Sequence, residues 1–142
     1  MSVEPEHHAD IFYQCHLAAS NIVQSIDTGN VNALVARLDE NVTVNMSGTV
    51  LTGSEQVGRA LVAAHSDVTS MRHMIHNLQV TEAGDQHVAV GYTVLVAQVM
   101  SEGSTLSTCD YRDRYIHGAD GGLKLQMREV DLIMRFDVRS LL

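Results

Sequence analysis

The 142-residue chain has no tryptophan, two phenylalanines, one proline and a single lysine. That lysine, Lys124, and eight scattered arginines face 17 acidic side chains, for a formal charge of −8. Phosphate backbones demand clustered Lys and Arg, so nucleic acid is not expected as a partner. Two cysteines, Cys15 and Cys109, are too few for a disulfide framework and match no zinc spacing. No apolar run approaches the ~20 residues of a membrane span, so no membrane partner is expected either. The segment Met1 to Asp10 is acidic and histidine-rich rather than basic then apolar, which argues against a secretory leader and for a cytoplasmic location. The only proline, Pro5, precedes the first element, and no linker, repeat or low-complexity tract follows. The chain therefore divides into a flexible tail, residues 1–9, and one domain, residues 10–142. A domain of this length buries roughly two thirds of its unfolded surface and needs no staples.

What is present is strongly periodic. Ile11, Cys15, Ala18, Ala19, Ile22, Val23 and Ile26 recur at spacings of three and four and predict an amphipathic helix ended by Asp27-Thr28-Gly29-Asn30. Asn30 is placed to cap a second short helix carrying Val31, Leu34, Val35 and Leu38. Short strands follow at Val42 to Met46 and Thr49 to Leu51. Thr52 and Glu55 then form a capping-box pattern at the head of a third helix. From residue 71 the period is two: strands are predicted at Met71 to Thr81, Gln86 to Met100, Thr105 to His117 and Leu123 to Phe136, joined by Gly- and Asp-rich turns. Helices first and a meander afterwards predict an α+β fold, with three helices over one face of a mainly antiparallel sheet.

Two details predict a hollow. Val88 to Ala97 is apolar on both faces, one of them built of small residues. In the last strand the apolar parity slips from Leu123, Leu125 and Met127 to Val130, Leu132 and Met134, which a bulge near Arg128-Glu129 explains. A sheet so curved becomes a cone-like half barrel with a pocket on its concave side.

The element order, Arg72-His73-Met74-Ile75-His76-Asn77, Tyr111-Arg112-Asp113-Arg114-Tyr115 and Asp120-Gly121-Gly122 together resemble the SnoaL-like branch of the nuclear-transport-factor-2-like superfamily. Polyketide cyclases, scytalone dehydratase and ketosteroid isomerase are relatives there. The resemblance runs from about Asp10 to Arg135 and implies an NTF2-like cone and a homodimer formed through the outer face of the long strands. It places His73 at one of two catalytic histidines of scytalone dehydratase and Thr93 at the other. It places Gln24 at the helix-1 aspartate that orients a catalytic water, with Asp27 one turn later as a helix-end acid. Cys109 and Tyr111 stand for the small polar pair on the third long strand. The usual tryptophan after the hairpin glycines is replaced by Leu123.

Strand parity sorts the side chains further. His73, Ile75, Asn77 and Gln79 share one face of their strand and His76 lies on the other, so His-x-x-His does not chelate and no metal is expected. Cys109, Tyr111, Asp113 and Tyr115 share a face that is too unusual for an outer surface. The expected catalytic set is His73 as base, Tyr111 or Tyr92 as oxyanion donor and Asp113 as the acid orienting His73. Thr93, Gln24, Cys109, Ile75 and Tyr92 are expected around the substrate. The plainer alternative for Asp113 is pairing with an arginine such as Arg128, and for Cys109 a small buried apolar residue. Glu129 and Asp131 have no direction assigned by the pattern. His65, at a helix end where the dipole favours an imidazolium, and His117, at a turn, require no function.

Three functions compete. The first is a cofactor-free lyase, isomerase or cyclase acting on a hydrophobic carbonyl compound, polyketide- or steroid-like. The second is a non-catalytic small-molecule-binding or dimerisation module. The third is an epoxide-hydrolase-like enzyme using Asp113 and Asp131. Convergent polar groups on a pocket wall favour an enzyme; an almost wholly apolar lining favours a binding module.

Overall fold

A computed structural model describes residues 5–138, with side chains from residue 7. Helix α1 (Pro5–Asp27) is followed by α2 (Val31–Ala36), β1 (Leu38–Met46), β2 (Thr49–Thr52), α3 (Ser54–Ala63), β3 (Val68–Ala83), β4 (His87–Met100), β5 (Gly103–His117) and β6 (Leu123–Val138). The strands form one six-stranded sheet in the order β2-β1-β6-β5-β4-β3, antiparallel except where β1 runs parallel to β6. The expected α+β architecture is found. Helix α1 begins earlier than the sequence suggests and takes in Pro5 to Ala9, half of the segment read as a tail; a proline in a first helical turn loses nothing, because that N–H has no intrahelical partner. Residues 1–4 of that tail, and 139–142 at the other end, lie outside the described residues.

The apolar stripe of α1 is the centre of the core. Cys15, Ala19, Ile22 and Ile26 are buried against Leu34 of α2, Val57 and Leu61 of α3, and the concave faces of β1, β4 and β6. Each wholly buried Ile, Leu or Val contributes about 1.5–3 kcal/mol relative to exposure. Asn30 caps α2 as its position predicts, its Oδ1 accepting from the Ala33 N–H at 3.0 Å.

The capping box on α3 does not form. Thr52 is held in β2, where it pairs with Thr43, so the helix starts one residue later on Gly53, which sits at φ +90° and offers no capping side chain. Glu55 instead meets Arg59 on the exposed face. Leu38, expected in α2, is the first residue of β1 and pairs with Leu125.

Curvature comes from bulges, but not from the one predicted. In β6 the register slips twice, beside Gln126 and beside Ile133, flanking the expected position on both sides. Leu125, Arg128, Val130, Leu132 and Arg135 thereby all face inward. In β3 the register slips three times, the middle one at Asn77, a non-glycine residue at φ 55°. Asn tolerates this left-handed conformation better than other side chains. It reverses parity, so Leu78 turns into the core while Asn77 and Gln79 are exposed, correcting the face assigned to Asn77 and Gln79.

Candidate active site

Helix α1 stops where it does because Gly29, at φ +67°, lets the chain turn back. Its N–H donates to the Ile26 carbonyl and that of Asn30 to the Ser25 carbonyl, the paired bonds of a Schellman ending. Asp27 is thus the last helical residue, held over β3, an edge strand of the sheet. Its Oδ2 accepts the His73 backbone N–H at 2.9 Å, and its Oδ1 lies 2.5 Å from His73 Nδ1. Both side chains are nearly inaccessible, 4% for His73 and 7% for Asp27. A carboxylate only accepts, so the neutral form of the ring has its hydrogen on Nδ1 and its lone pair on Nε2.

His73 forms part of the wall of a cavity of about 130 Å³ enclosed by the sheet and helices. Ile26, Val44, Leu61, Val96, Val130 and Leu132 supply its apolar lining. His65, Gln98, Ser107, Tyr111 and Arg128 join His73 on the polar side, with exposed Arg135 at the rim. Polar side chains from β3, β4, β5, β6 and the end of α3 thus meet an otherwise apolar lining in one cavity. Tyr111 is buried and its phenol is pushed up to about 12, first by desolvation, so at neutral pH it is a hydrogen-bond donor. Cys109 also borders the cavity, its thiol raised by burial, which suits a small apolar wall residue rather than a nucleophile.

The other expected site residues lie elsewhere. Asp113 does not orient His73. It is buried in a network of its own, bound by Arg128 Nε at 2.8 Å and Nη2 at 2.9 Å, with the Tyr92 and Tyr115 hydroxyls each donating to Oδ2 at 2.6 Å. The plainer reading of Asp113 is the one found, and Tyr92 is spent in the same network, also accepting from Arg128 Nη2 at 2.9 Å. Thr93 pairs with Asp110 and faces the convex side, because inner positions on β4 are Tyr92, Val94 and Val96. Gln24 is exposed on α1, and Gln24 and Ile75 line an outer cleft between α1 and β3 rather than the cavity. Glu129 and Asp131 are on the convex face, both bound to Arg112. Asp113 and Asp131 therefore lie on opposite sides of the sheet, which removes the acid pair of the epoxide-hydrolase alternative.

Asp27 is the residue that sequence reasoning undervalued. An acid in the last turn of a helix opposes the dipole, and that anomaly was the available signal. His65 was read as an imidazolium; burial instead lowers its pKa, helped by nearby His73 and opposed by Asp27. Gln98, on the inner face of β4, carried no signal in its spacing.

Solved structures of known proteins superpose closely on this fold. A proposed scytalone dehydratase from Novosphingobium aromaticivorans is 16% identical, with a TM-score of 0.85, covering 96% of this chain and 93% of its own. ActVI-ORFA from Streptomyces coelicolor is 18% identical at a TM-score of 0.76, covering 87% and 97%. A hexachlorocyclohexane dehydrochlorinase of type 2 is 16% identical at 0.77, covering 87% and 86%. At such identities the likeness establishes the fold. No curated protein matches the sequence. The family model for the SnoaL-like domain matches residues 14–129, and the chain belongs to that family.

Proposed function

We propose that this protein is a cofactor-free acid–base catalyst, a lyase, isomerase or cyclase, whose substrate is a hydrophobic ring compound with a carbonyl group. The observation that carries the proposal is the buried Asp27–His73 pair at the wall of the cavity. In this reading His73 Nε2 takes a proton from a carbon next to the carbonyl. Asp27, already bound to Nδ1–H, stabilises the imidazolium and keeps the ring from turning, the role a buried carboxylate plays beside a catalytic histidine. The electron pair moves onto the carbonyl oxygen, where the Tyr111 hydroxyl donates as charge develops. The imidazolium then returns its proton to a different carbon, giving isomerisation, or to a departing hydroxyl, giving dehydration.

The size of the chamber narrows the substrate. An apolar cavity of roughly 150 Å³ takes one benzene, and the cavity here is about 130 Å³. The chamber is on the scale of a single ring at most, and any larger skeleton must extend out of it, beside the exposed Leu132 and Arg135. The dehydratase and dehydrochlorinase names among the similar structures support elimination or isomerisation as the reaction class. The test is turnover on a panel of monocyclic β-hydroxy ketones, enones and halogenated rings. His73→Ala is expected to lower turnover on any substrate found by roughly 10²–10⁴-fold. Unchanged turnover would remove His73 from the mechanism.

We also propose that two copies associate through the convex face of β4, β5 and β6, on which Val99, Met134, Phe136 and Val138 are exposed.

A further inference from the structure

His65 follows α3 and lies edge-on to His73, ring centroids 6.2 Å apart and planes at 82°. Its Nδ1 is 3.0 Å from Gln98 Nε2. Of the two other neighbours of that amide, the Thr105 hydroxyl serves either end, whereas the Met71 thioether suits only the nitrogen and so sets its orientation. Gln98 Oε1 receives the Thr105 hydroxyl at 3.3 Å, and Nε2 is 3.6 Å from Met71 Sδ, a thioether with no hydrogen to give. The amide nitrogen therefore faces Nδ1 and donates to it, so the ring's hydrogen must be on Nε2. No group among the described residues accepts from His65 Nε2. The two neighbouring imidazoles thus have opposite polarity: His73 offers a lone pair at Nε2, and His65 offers a hydrogen at the same ring position.

We propose that His65 is a second catalytic residue of this cavity, a neutral Nε2–H donor to the oxygen of a ring ketone, enol or phenol, with Gln98 the positioning residue that fixes its tautomer. This rests on the reading of His73 as base. The proton balance is complete without His65 titrating. His73 Nε2 takes the proton from carbon, the C–H electron pair becomes the enolate double bond, and the carbonyl π pair moves to oxygen. The oxyanion is held by His65 Nε2–H and Tyr111, and His73 gives the proton back. A neutral donor suits this place, because a charged one would stand beside His73 when His73 itself is an imidazolium. The groups around His65 agree: burial and His73 lower its basicity, Asp27 opposes them weakly, and Gln98 and Met71 are uncharged.

The test reads the tautomer first, in the full uniformly labelled chain without ligand, by long-range ¹H–¹⁵N correlation at pH 7.5. His65 is expected with Nε2 protonated and Nδ1 bare, and His73 with the reverse. Gln98→Glu places an acceptor where the donor was, so His65 Nδ1 is expected to gain a hydrogen while the His73 pattern, which also reports an intact fold, stays as it was. The second readout is binding of 4-nitrophenol, a one-ring oxyanion probe, followed by absorbance. His65→Ala is expected to weaken it about ten- to a hundredfold, the range for a hydrogen bond to a charged acceptor. A wild-type His65 protonated on Nδ1, no binding of the probe, or binding indifferent to His65→Ala would each overturn the proposal. These outcomes leave the Asp27–His73 pair untouched, just as turnover unaffected by His73→Ala would sink the base while leaving the tautomer of His65 standing.

Discussion

Asp27 and Asp113 are both deep in the protein, yet their surroundings give them different work. Asp27 spends its two oxygens on one residue, the His73 backbone N–H and Nδ1, and so aims an imidazole into a cavity. Asp113 receives four hydrogen bonds from Arg128, Tyr92 and Tyr115 and has nothing left for a substrate. The Arg128 guanidinium also lies 4.8 Å from the centre of the Tyr111 ring, which places that phenol against the cavity wall. Asp113→Ala would leave the buried guanidinium uncompensated. Breaking such a pair costs about 3–5 kcal/mol, so the variant is expected to lose most of its stability in urea unfolding, and a loss below 1 kcal/mol would contradict the network.

The tyrosines make a pH prediction with a definite sign. Burial, named first among the causes for each, raises Tyr92 and Tyr115 well above the usual phenol and Tyr111 to about 12. In the unfolded chain these phenols ionise near ~10. Below that pH both states are neutral and the contribution is fully present. As pH rises from 10 towards 12 the unfolded chain loses protons that the folded chain keeps, so stability falls. Alkaline unfolding monitored at the tyrosinate absorbance should show these three rings ionising together with loss of structure. Ionisation in a fully folded protein near pH 10 would contradict it.

At the scale of elements, the sheet was readable because its periodicity is two and its core strand is apolar on both faces. The α1 stripe was readable because Ile11 to Ile26 repeat at three and four. Register was less so. The bulges beside Gln126 and Ile133 change parity twice, and a pattern that slips and slips back looks like one slip between them. Thr93 was misplaced because the resemblance located a strand position without fixing which face it occupies. The Asp27–His73 contact joins residues 46 apart in sequence, and only the meeting of a helix end with a sheet edge makes it.

Helix packing carries its own test. A Cβ at Gly58 of α3 would lie 2.6 Å from Val35 Cγ2 of α2. Overpacking costs roughly 1–3 kcal/mol, against about 1 kcal/mol gained from replacing glycine in a helix interior. Gly58→Ala is therefore expected to destabilise by up to about 2 kcal/mol in the wild type and to stabilise in a Val35→Ala background. The same sign in both backgrounds, read from urea midpoints, would show that close approach is not what keeps glycine there.

At the scale of the molecule, curvature divides the sheet into a concave face with a chamber and a convex face with an apolar patch. Register aligns that patch in rungs: Met134, Thr108, Leu95 and Met74 on one, Phe136, Leu106 and Ala97 on the next, Val138 and Val99 on a third. Phe136 is half exposed, so Phe136→Glu is expected to leave the fold intact while turning a sedimenting dimer into a monomer. A wild-type monomer at micromolar concentration would count against association through this face.

The concave side holds the central claim, and abstraction of a proton can be observed without knowing the natural product. The most direct measurement is deuterium incorporation next to the carbonyl of monocyclic ketones in D₂O, followed by proton NMR for wild type, His73→Ala and Asp27→Asn. The account predicts enzyme-dependent exchange on at least one such ring, lowered by two or more orders of magnitude in His73→Ala and substantially in Asp27→Asn. Exchange that proceeds equally in all three proteins, or that the wild type never promotes on any ring that binds the cavity, would contradict it.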